Sequence, residues 1–299
     1  MRFSREIIST FATVVTAIAA LMLAPASGLA DHKFPRNLSA NGPWKTNLQW
    51  ITAPLNRGFK VDDRGRTLAV DQAGVPALIT ADAGLRAYFQ WAPTDDGTIR
   101  YFDHIAFSDL VEDGWTEPQI VTFDADFSQR DQHLYPFDPT VVRLEDARYR
   151  MYFTRNNSAS RPPKRDFSLS SAISDDGLHF RLEDGDRLKL EDGPINDCAV
   201  IFFNGLWHLI SPDHSNIGVA YYATSQDGLF FERQDNLFFD GGAWLGNMVE
   251  NEGTVYFFGT GFTLKTTDFS HWQLVDRNRF ADAGVAVFDG QIHMLSVGR

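Results

Sequence analysis

Cysteine is almost absent from this 299-residue sequence, which contains only Cys198. One cysteine cannot form an internal disulfide or a paired-cysteine metal site, so stability must come from a packed core. Cations are also scarce, because 27 Lys and Arg stand against 39 Asp and Glu, a net charge of −12. Such an acidic chain repels polyphosphate, which argues against nucleic acids and anionic membrane surfaces as partners. Glycine-rich phosphate loops and G-x-S-x-G nucleophile motifs are missing as well.

Long apolar runs are missing after residue 30. Before it, Arg2 and Arg5 precede the apolar run Ala12–Leu23, and small residues follow at Ala26 and Ala30. This pattern predicts a signal peptide over residues 1–30, a secreted or periplasmic protein, and one mature domain over residues 31–299. The alternative is a single membrane anchor, for which the run is short.

The full sequence is rich in aromatic residues and turn formers, with 25 Phe, 23 Gly and 13 Pro, which favours many short strands. The mature chain holds nearly all of them. It contains five versions of one hairpin pattern, in which an apolar strand, a turn and an aromatic-rich strand follow one another. Turns such as Asn204-Gly205 and Asp289-Gly290 are strong hairpin signals. The first strands of the five units begin near Pro76, Thr140, Ala199, Asn247 and Gly284.

A second motif recurs later in the units, at Ser174–Phe180 and Ser225–Phe231, with a weaker version at Thr266–Trp272. We interpret it as a capped turn between a third and a fourth strand, with its last aromatic residue packed between neighbouring sheets. The repeat predicts an all-β, five-bladed β-propeller. The alternative is a β-sandwich with Greek-key connections.

The last unit has room for only two strands before the chain ends at Arg299. Two strand-like segments near the mature N-terminus, Leu48–Ile51 and Gly58–Val61, are expected to complete this blade. Closure of this kind removes the exposed edges of the ring.

In a propeller the first strand of each blade lines the central channel, so the starts of these strands gather at one mouth. Carboxylates that converge there from distant positions suit acid–base chemistry on a sugar. The residues at the five starts are Asp71–Val75, Phe137–Asp138, Asn196–Asp197, Leu245–Asn247 and Asp282.

Three segments, Phe137–Val142, Tyr149–Thr154 and Ser174–Phe180, resemble the second blade of the five-bladed propeller glycosidases. This group includes the family 43 arabinosidases and xylosidases, the invertases and the levansucrases. The resemblance implies a base or nucleophile in the first blade, a supporting Asp in the second and an acidic Glu in the third. Asp138 matches the supporting Asp, which orients the acid and raises its pKa. The alternative is that Asp138 only caps the strand before Pro139.

The other two catalytic positions depart from the family pattern. Val75 stands where the first-blade base is expected, and Asp71 upstream is the candidate base or nucleophile. In the third blade the expected Glu falls at Asn196 or Asp197, so Asp197 is the candidate acid. Glu191, on a preceding loop, competes with it.

Six further residues are predicted to bind the substrate, because aromatic faces pack on sugar rings and polar groups bind hydroxyls. They are Tyr135, Phe137, Arg155, Trp244, Asn247 and Asp282. The resemblance also allows a structural calcium ion in the channel, and no cofactor is expected to be required.

The leading hypothesis is an exported glycoside hydrolase that acts on arabinosyl, xylosyl or fructosyl linkages of a carbohydrate substrate. The second hypothesis is a catalytically silent propeller that binds a glycan or a protein partner at the same mouth. A third, a sialidase-like protein, requires an arginine triad, and Arg143, Arg150 and Arg155 are poorly spaced to supply one.

Overall fold

The computed structural model describes residues 42–298 except 63, 83, 96–97, 100–103, 125–135, 158–165 and 192. The predicted signal peptide and Tyr135 lie outside the described residues. Strands make up most of this part of the chain, and its helices are two short 3-10 turns, Pro43–Lys45 and Leu55–Arg57. Among the described residues, no helix is both long enough and apolar enough to span a bilayer.

The strands follow one another blade by blade. The first two are β1 (Asn47–Pro54) and β2 (Thr67–Asp71). Blade one has β3 (Ala73–Ala81), β4 (Gly84–Trp91), the small hairpin β5 (Thr94–Asp95) and β6 (Thr98–Ile99), then β7 (His104–Val111), β8 (Gly114–Trp115) and β9 (Gln119–Ile120). Blade two has β10 (Thr122–Phe123), β11 (Phe137–Arg143), β12 (Tyr149–Asn156), β13 (Phe167–Ser174) and β14 (His179–Leu182).

Blade three has β15 (Ala199–Phe203), β16 (Leu206–Pro212), β17 (Val219–Ser225), β18 (Glu232–Arg233) and β19 (Leu237–Phe238). Blade four has β20 (Ala243–Asn251), β21 (Thr254–Thr260), β22 (Phe262–Thr266) and β23 (Gln273–Asp276), and blade five ends the chain with β24 (Gly284–Phe288) and β25 (Gln291–Gly298). The five sheets confirm the five-bladed propeller, and each predicted first strand is the innermost strand of its blade.

Blade five is closed by strands from the N-terminal side, as predicted, with the order β2-β1-β25-β24. Strand β1 pairs antiparallel with β25 along its whole length, from Asn47 opposite Gly298 to Pro54 opposite Gln291. This pairing gives the last blade four strands and covers the edge of β25.

The prediction of a strand at Gly58–Val61 was wrong, because the second added strand is β2. After the 3-10 turn Leu55–Arg57, Gly58 adopts φ 70° and redirects the chain. Phe59 is then buried at 3% exposure and stacks on Tyr256, with ring centroids 3.6 Å apart. The segment therefore packs into the hydrophobic layer that it shares with blades four and five.

The Ser-x-Asp-Gly motifs form the capped turns that the sequence predicts, between β13 and β14 and between β17 and β18. In the first of them, Ser174 Oγ accepts the backbone N–H of Gly177 at 2.8 Å, and Asp176 Oδ1 accepts that of Leu178 at 2.7 Å. Gly177 has φ 72°, and Phe180 is 1% exposed in the core between blades one and two.

Each of these turns is bound by the preceding blade. The hydroxyl of Tyr88 in blade one donates to the carbonyl of Gly177 at 2.9 Å, and Tyr152 in blade two donates to Gly228 at the same distance. Arg150 Nη1 also donates to the carbonyl that precedes Gly228, at 3.0 Å. These blade-to-blade hydrogen bonds fix the relative positions of the inner strands, whose starts form the site.

Candidate functional site

One backbone feature repeats near the start of each of the five inner strands. The residue there lies in the left-handed region, and a β-bulge or irregular register interrupts the pairing beside it in β3, β11 and β20. A bulge breaks the strand alternation and re-aims the side chain. The five residues line a single pocket and are Val75 (φ 51°), Asp138 (53°), Asp197 (57°), Gly246 (149°) and Asp282 (48°).

This channel pocket therefore holds three carboxyl groups, from Asp138 in blade two, Asp197 in blade three and Asp282 in blade five. They are separated widely in sequence and meet because their strands start at one mouth. The described side chains leave a volume of about 10 Å³ for the centre of a water-sized sphere. The pocket is thus a narrow, strongly acidic space at the end of the channel.

Asp138 is the most buried of the three, at 7% exposure. Thr154 Oγ1 donates to its Oδ2 at 3.1 Å and itself accepts the backbone N–H of Asp197 at 3.1 Å. Burial, followed by the negative charges of Asp197 and Asp282, raises the pKa of Asp138 well above its usual value.

Asp197 has a different set of contacts. Its side chain is 13% exposed, and its Oδ2 accepts a hydrogen bond from Asn196 Nδ2 at 2.7 Å. The same oxygen lies 3.2 Å from His214 Nε2. The hydrogen bond to Asp197 raises the pKa of His214, so the two groups form an ion pair when the imidazole is protonated. His214 had no signal in the sequence, since only the fold brings its loop to this mouth.

Asp282 completes the group from the opposite end of the chain. It is half-buried, and its backbone N–H donates to Thr260 Oγ1 at 3.3 Å. Burial, followed by the charge of Asp197, raises the pKa of Asp282 well above its usual value. The sequence predicted Asp282 as a substrate-binding residue, and the structure places its carboxyl beside the other two.

The structure does not bring Asp71 into the channel pocket. Asp71 is the last residue of β2, the outermost strand of the closing blade, where it is exposed and pairs with Asn47. Val75 takes the pocket position in blade one. Glu191 is also exposed and does not line the pocket.

Trp244, expected to stack on a sugar, is a core residue. Its side chain is 1% exposed, and its indole N–H donates to the carbonyl of Gly218 at 3.0 Å. Phe257 and Phe262 pack against its edges. Although the chain at Trp244 borders the pocket, the indole offers no free face to a ligand.

Of the three remaining residues predicted to bind the substrate, only Asn247 lines the channel pocket. Its Nδ2 donates to Thr140 Oγ1 of blade two at 2.9 Å. Phe137 is half-buried just before Asp138 and makes an edge contact with Phe167 at 5.3 Å. Arg155 is half-buried in β12 and does not line the pocket.

Several solved structures with a similar fold are glycoside hydrolases. An α-L-arabinofuranosidase from Clostridium thermocellum matches with a TM-score of 0.55 at 12% identity, over 75% of this chain and 81% of that one. A β-xylosidase matches with a TM-score of 0.53 at 13% identity, over 76% and 91%. A thermostable family 43 glycoside hydrolase gives 0.52 at 13% identity, over 76% and 89%.

The fold is that of the five-bladed glycoside hydrolases. At these identities the similarity concerns the fold. No protein-family model matches the sequence, and no curated protein matches it.

The resemblance allows a calcium ion beside the channel carboxylates. Among the described residues, no group of three or more His, Cys, Asp or Glu side chains is placed to hold a metal ion. The structural calcium ion therefore stays an expectation from the resemblance.

Proposed function

We propose that this chain is an exported glycoside hydrolase acting on arabinosyl, xylosyl or fructosyl linkages, with its acid–base chemistry at Asp138, Asp197 and Asp282. The observation that carries the proposal is the convergence of three carboxyl groups from three blades on one pocket. Glycosidases need two carboxyl groups with different protonation states beside the scissile bond. The surroundings of these three side chains support such a division.

Asp282 is proposed as the general acid. Its raised pKa keeps the carboxyl protonated further toward neutral pH than an exposed Asp, and a protonated carboxyl can donate to the leaving oxygen. Asp138 has a raised pKa too, but it is more deeply buried and its Oδ2 is occupied by Thr154. Asp282 is half-buried and so has more access to a ligand.

Asp197 is proposed as the base or nucleophile, and Asp138 as the group that positions it. The sequence hypothesis assigned the acid to Asp197, but Asn196 donates to its Oδ2, and a protonated His214 would form an ion pair with the same oxygen. Thr154 links the Asp138 carboxyl to the backbone N–H of Asp197. Removal of Asp138 is therefore expected to misplace Asp197.

The test is hydrolysis of aryl arabinofuranosides, aryl xylosides and fructan oligomers by wild type and by Asp138→Asn, Asp197→Asn and Asp282→Asn. Each substitution is expected to lower kcat/KM by about 10²–10⁴-fold, the usual contribution of a general acid or base. Asp113→Asn, at an exposed carboxyl in the β7–β8 turn, is the control and is expected to have no effect.

Leaving-group dependence separates the proposed roles. Asp282→Asn is expected to lose most activity on substrates with poor leaving groups, because an activated aryl group departs with little protonation. Asp197→Asn is expected to lose activity equally on both kinds of substrate. The reverse pattern would identify Asp197 as the general acid, as the sequence analysis predicted.

A silent glycan-binding propeller is the second candidate. The observation that favours it is the pair Val75 and Gly246, which contribute no acid or base at two of the five pocket positions. A wild type that is inactive on all these substrates, yet binds glycan as tightly as the three Asn variants, would support this candidate.

Export is tested separately. The expected cleavage sites after Ala26 and Ala30 predict that the mature protein begins between Ser27 and Asp31. N-terminal sequencing of secreted or periplasmic protein checks this, and an intact Met1 in a membrane fraction would contradict it.

A further inference from the structure

A second cavity lies away from the channel, between the outermost strand β2 of the closing blade and the outer part of blade one. Its volume is about 300 Å³, and it shares no residue with the channel pocket. We call it the Trp91–Trp115 groove, after the two tryptophans in its wall. Asp71 and Glu117 contribute its carboxylates. This volume is at the lower end of the range for small-molecule sites.

The two tryptophans provide fixed apolar surfaces. Trp91 ends β4 and Trp115 ends β8, and each is half-buried against the core that blade one shares with the closing blade. Trp115 is held edge-on by Trp50, with ring centroids 6.1 Å apart and planes at 88°. An anchored indole that also borders a cavity can offer a rigid face to a ligand at little entropic cost.

The two carboxylates remain available to a ligand. Asp71 and Glu117 are exposed, and neither side chain forms a hydrogen bond or an ion pair with another described residue. Among the described residues, no Lys, Arg or His lines the groove. The side chain of Gln72, in contrast, is already hydrogen-bonded within the protein, because its Oε1 accepts the backbone N–H of Thr94 at 2.9 Å.

We infer that the Trp91–Trp115 groove is a second carbohydrate-binding site, which holds a neutral oligosaccharide outside the catalytic pocket. Sugar C–H faces pack on the indoles, and sugar hydroxyls donate to Asp71 and Glu117, since carboxylates accept hydrogen bonds only. Two unpaired carboxylates repel acidic sugars, so uronic acids are disfavoured. The choice of a sugar rests on the proposed function. The inference also gives Asp71 a role in binding at this site.

The test measures binding of xylo- and arabino-oligosaccharides to the full-length Asp197→Asn protein, in which the ligand is not hydrolysed. Calorimetry gives the affinity, and a change in tryptophan fluorescence is a second measure of binding. Adding Glu117→Gln or Trp91→Ala is expected to weaken binding at this site at least tenfold. Adding Glu112→Gln, an exposed carboxylate on the neighbouring β7–β8 turn, is the matched control and is expected to leave the affinity unchanged.

Several outcomes would overturn the inference. Equal affinity in the Glu117→Gln variant and its control is one of them, since this exposed substitution leaves folding intact even if Trp91→Ala does not. Binding of tetramethylammonium in place of sugar is another, because aromatic faces with carboxylates also suit quaternary ammonium ions. Failure of the proposed function is distinguishable: a wild type without hydrolytic activity but with Glu117-dependent sugar binding would retain this site and lose only the enzyme.

Discussion

Thr154 donates its hydroxyl hydrogen to Oδ2 of Asp138 over 3.1 Å. The same hydroxyl accepts the backbone N–H of Asp197 at 3.1 Å, and the side chain has no exposed surface. One hydroxyl in blade two thus fixes two carboxyl-bearing residues from neighbouring blades. It also opposes the burial that raises the pKa of Asp138.

Thr154→Val is expected to lower the free energy of unfolding by about 1–3 kcal/mol, because it leaves a buried N–H and a buried carboxyl without their partner. The pKa of Asp138 should rise further. Urea denaturation measures the first effect, and the pH profile of kcat/KM in any active protein measures the second. Thr154→Ser restores the hydroxyl and is the control; equal stability of the Ser and Val variants would contradict the prediction.

Stability is expected to decrease as pH rises above about 4, because of Asp138 and Asp282. Their pKa values are raised in the folded chain and return to about 3.9 when it unfolds. Between these values the folded state binds more protons than the unfolded state, so the free energy of unfolding falls with pH. The loss begins near pH 4 and is complete above the folded pKa values.

Asp138→Asn and Asp282→Asn each remove one of these groups. Each should raise the melting temperature at pH 7, by about 2–4 °C for every kcal/mol gained, and flatten its dependence on pH. Thermal melts between pH 5 and pH 8 measure this. A variant whose melting curve stays parallel to that of wild type would show that the replaced carboxyl does not titrate in this range.

Because β1 closes the ring, Leu48→Ala is expected to lower the free energy of unfolding strongly. Leu48 has no exposed surface and packs in the core that blade one shares with the closing blade. Its truncation should lower the free energy of unfolding by about 2–5 kcal/mol, as for other buried leucines. Leu68→Ala in β2, where the side chain is 61% exposed, should change it by less than about 0.5 kcal/mol. Similar unfolding midpoints for the two variants would argue against a closed ring.

The Ser-x-Asp-Gly turn of blade three predicts a contrast between two glycines. Gly228 and Gly253 both have positive φ, 72° and 74°, but a Cβ on Gly228 would lie 2.7 Å from Tyr152 Oη. A Cβ on Gly253 meets nothing within 4 Å. Gly253→Ala is expected to lower the free energy of unfolding by about 1 kcal/mol through backbone strain. Gly228→Ala is expected to lower it by at least twice as much. Chemical denaturation of both proteins checks the difference, and equal losses would remove the role of the blade-to-blade contact.

The blade pattern could be predicted from the sequence because its signals are local. Asn204-Gly205 and Asp289-Gly290 adopt positive φ at both turn residues, as the hairpin signal requires. The sequence could not predict which two N-terminal segments close the last blade, because a short apolar segment can join a sheet edge or fill a layer between sheets. Gly58–Val61 fills a layer between sheets, where Phe59 stacks on Tyr256. This placement depends on a residue almost 200 positions away in the sequence.

The site was harder to predict, because only one residue near the start of each inner strand has the positive φ that directs it into the pocket. Asp71 and Asp282 both precede an inner strand, but Asp71 ends β2 and Asp282 occupies the left-handed position beside the channel. Sequence spacing cannot locate the irregular position that turns a side chain inward. His214 shows the same limit, since its contact with Asp197 exists only between loops of a folded blade.

The pairing of β1 with β25 has a consequence for biosynthesis. Asn47 must pair with Gly298, so the ring cannot close until β25 has been synthesised. Until then β1 has no partner strand on one side, and its apolar residues remain open to other chains. Non-local pairing of this kind is slow to form. A delay before folding is useful to a protein that crosses a membrane unfolded, and the proposed export route would turn this late closing step into an advantage.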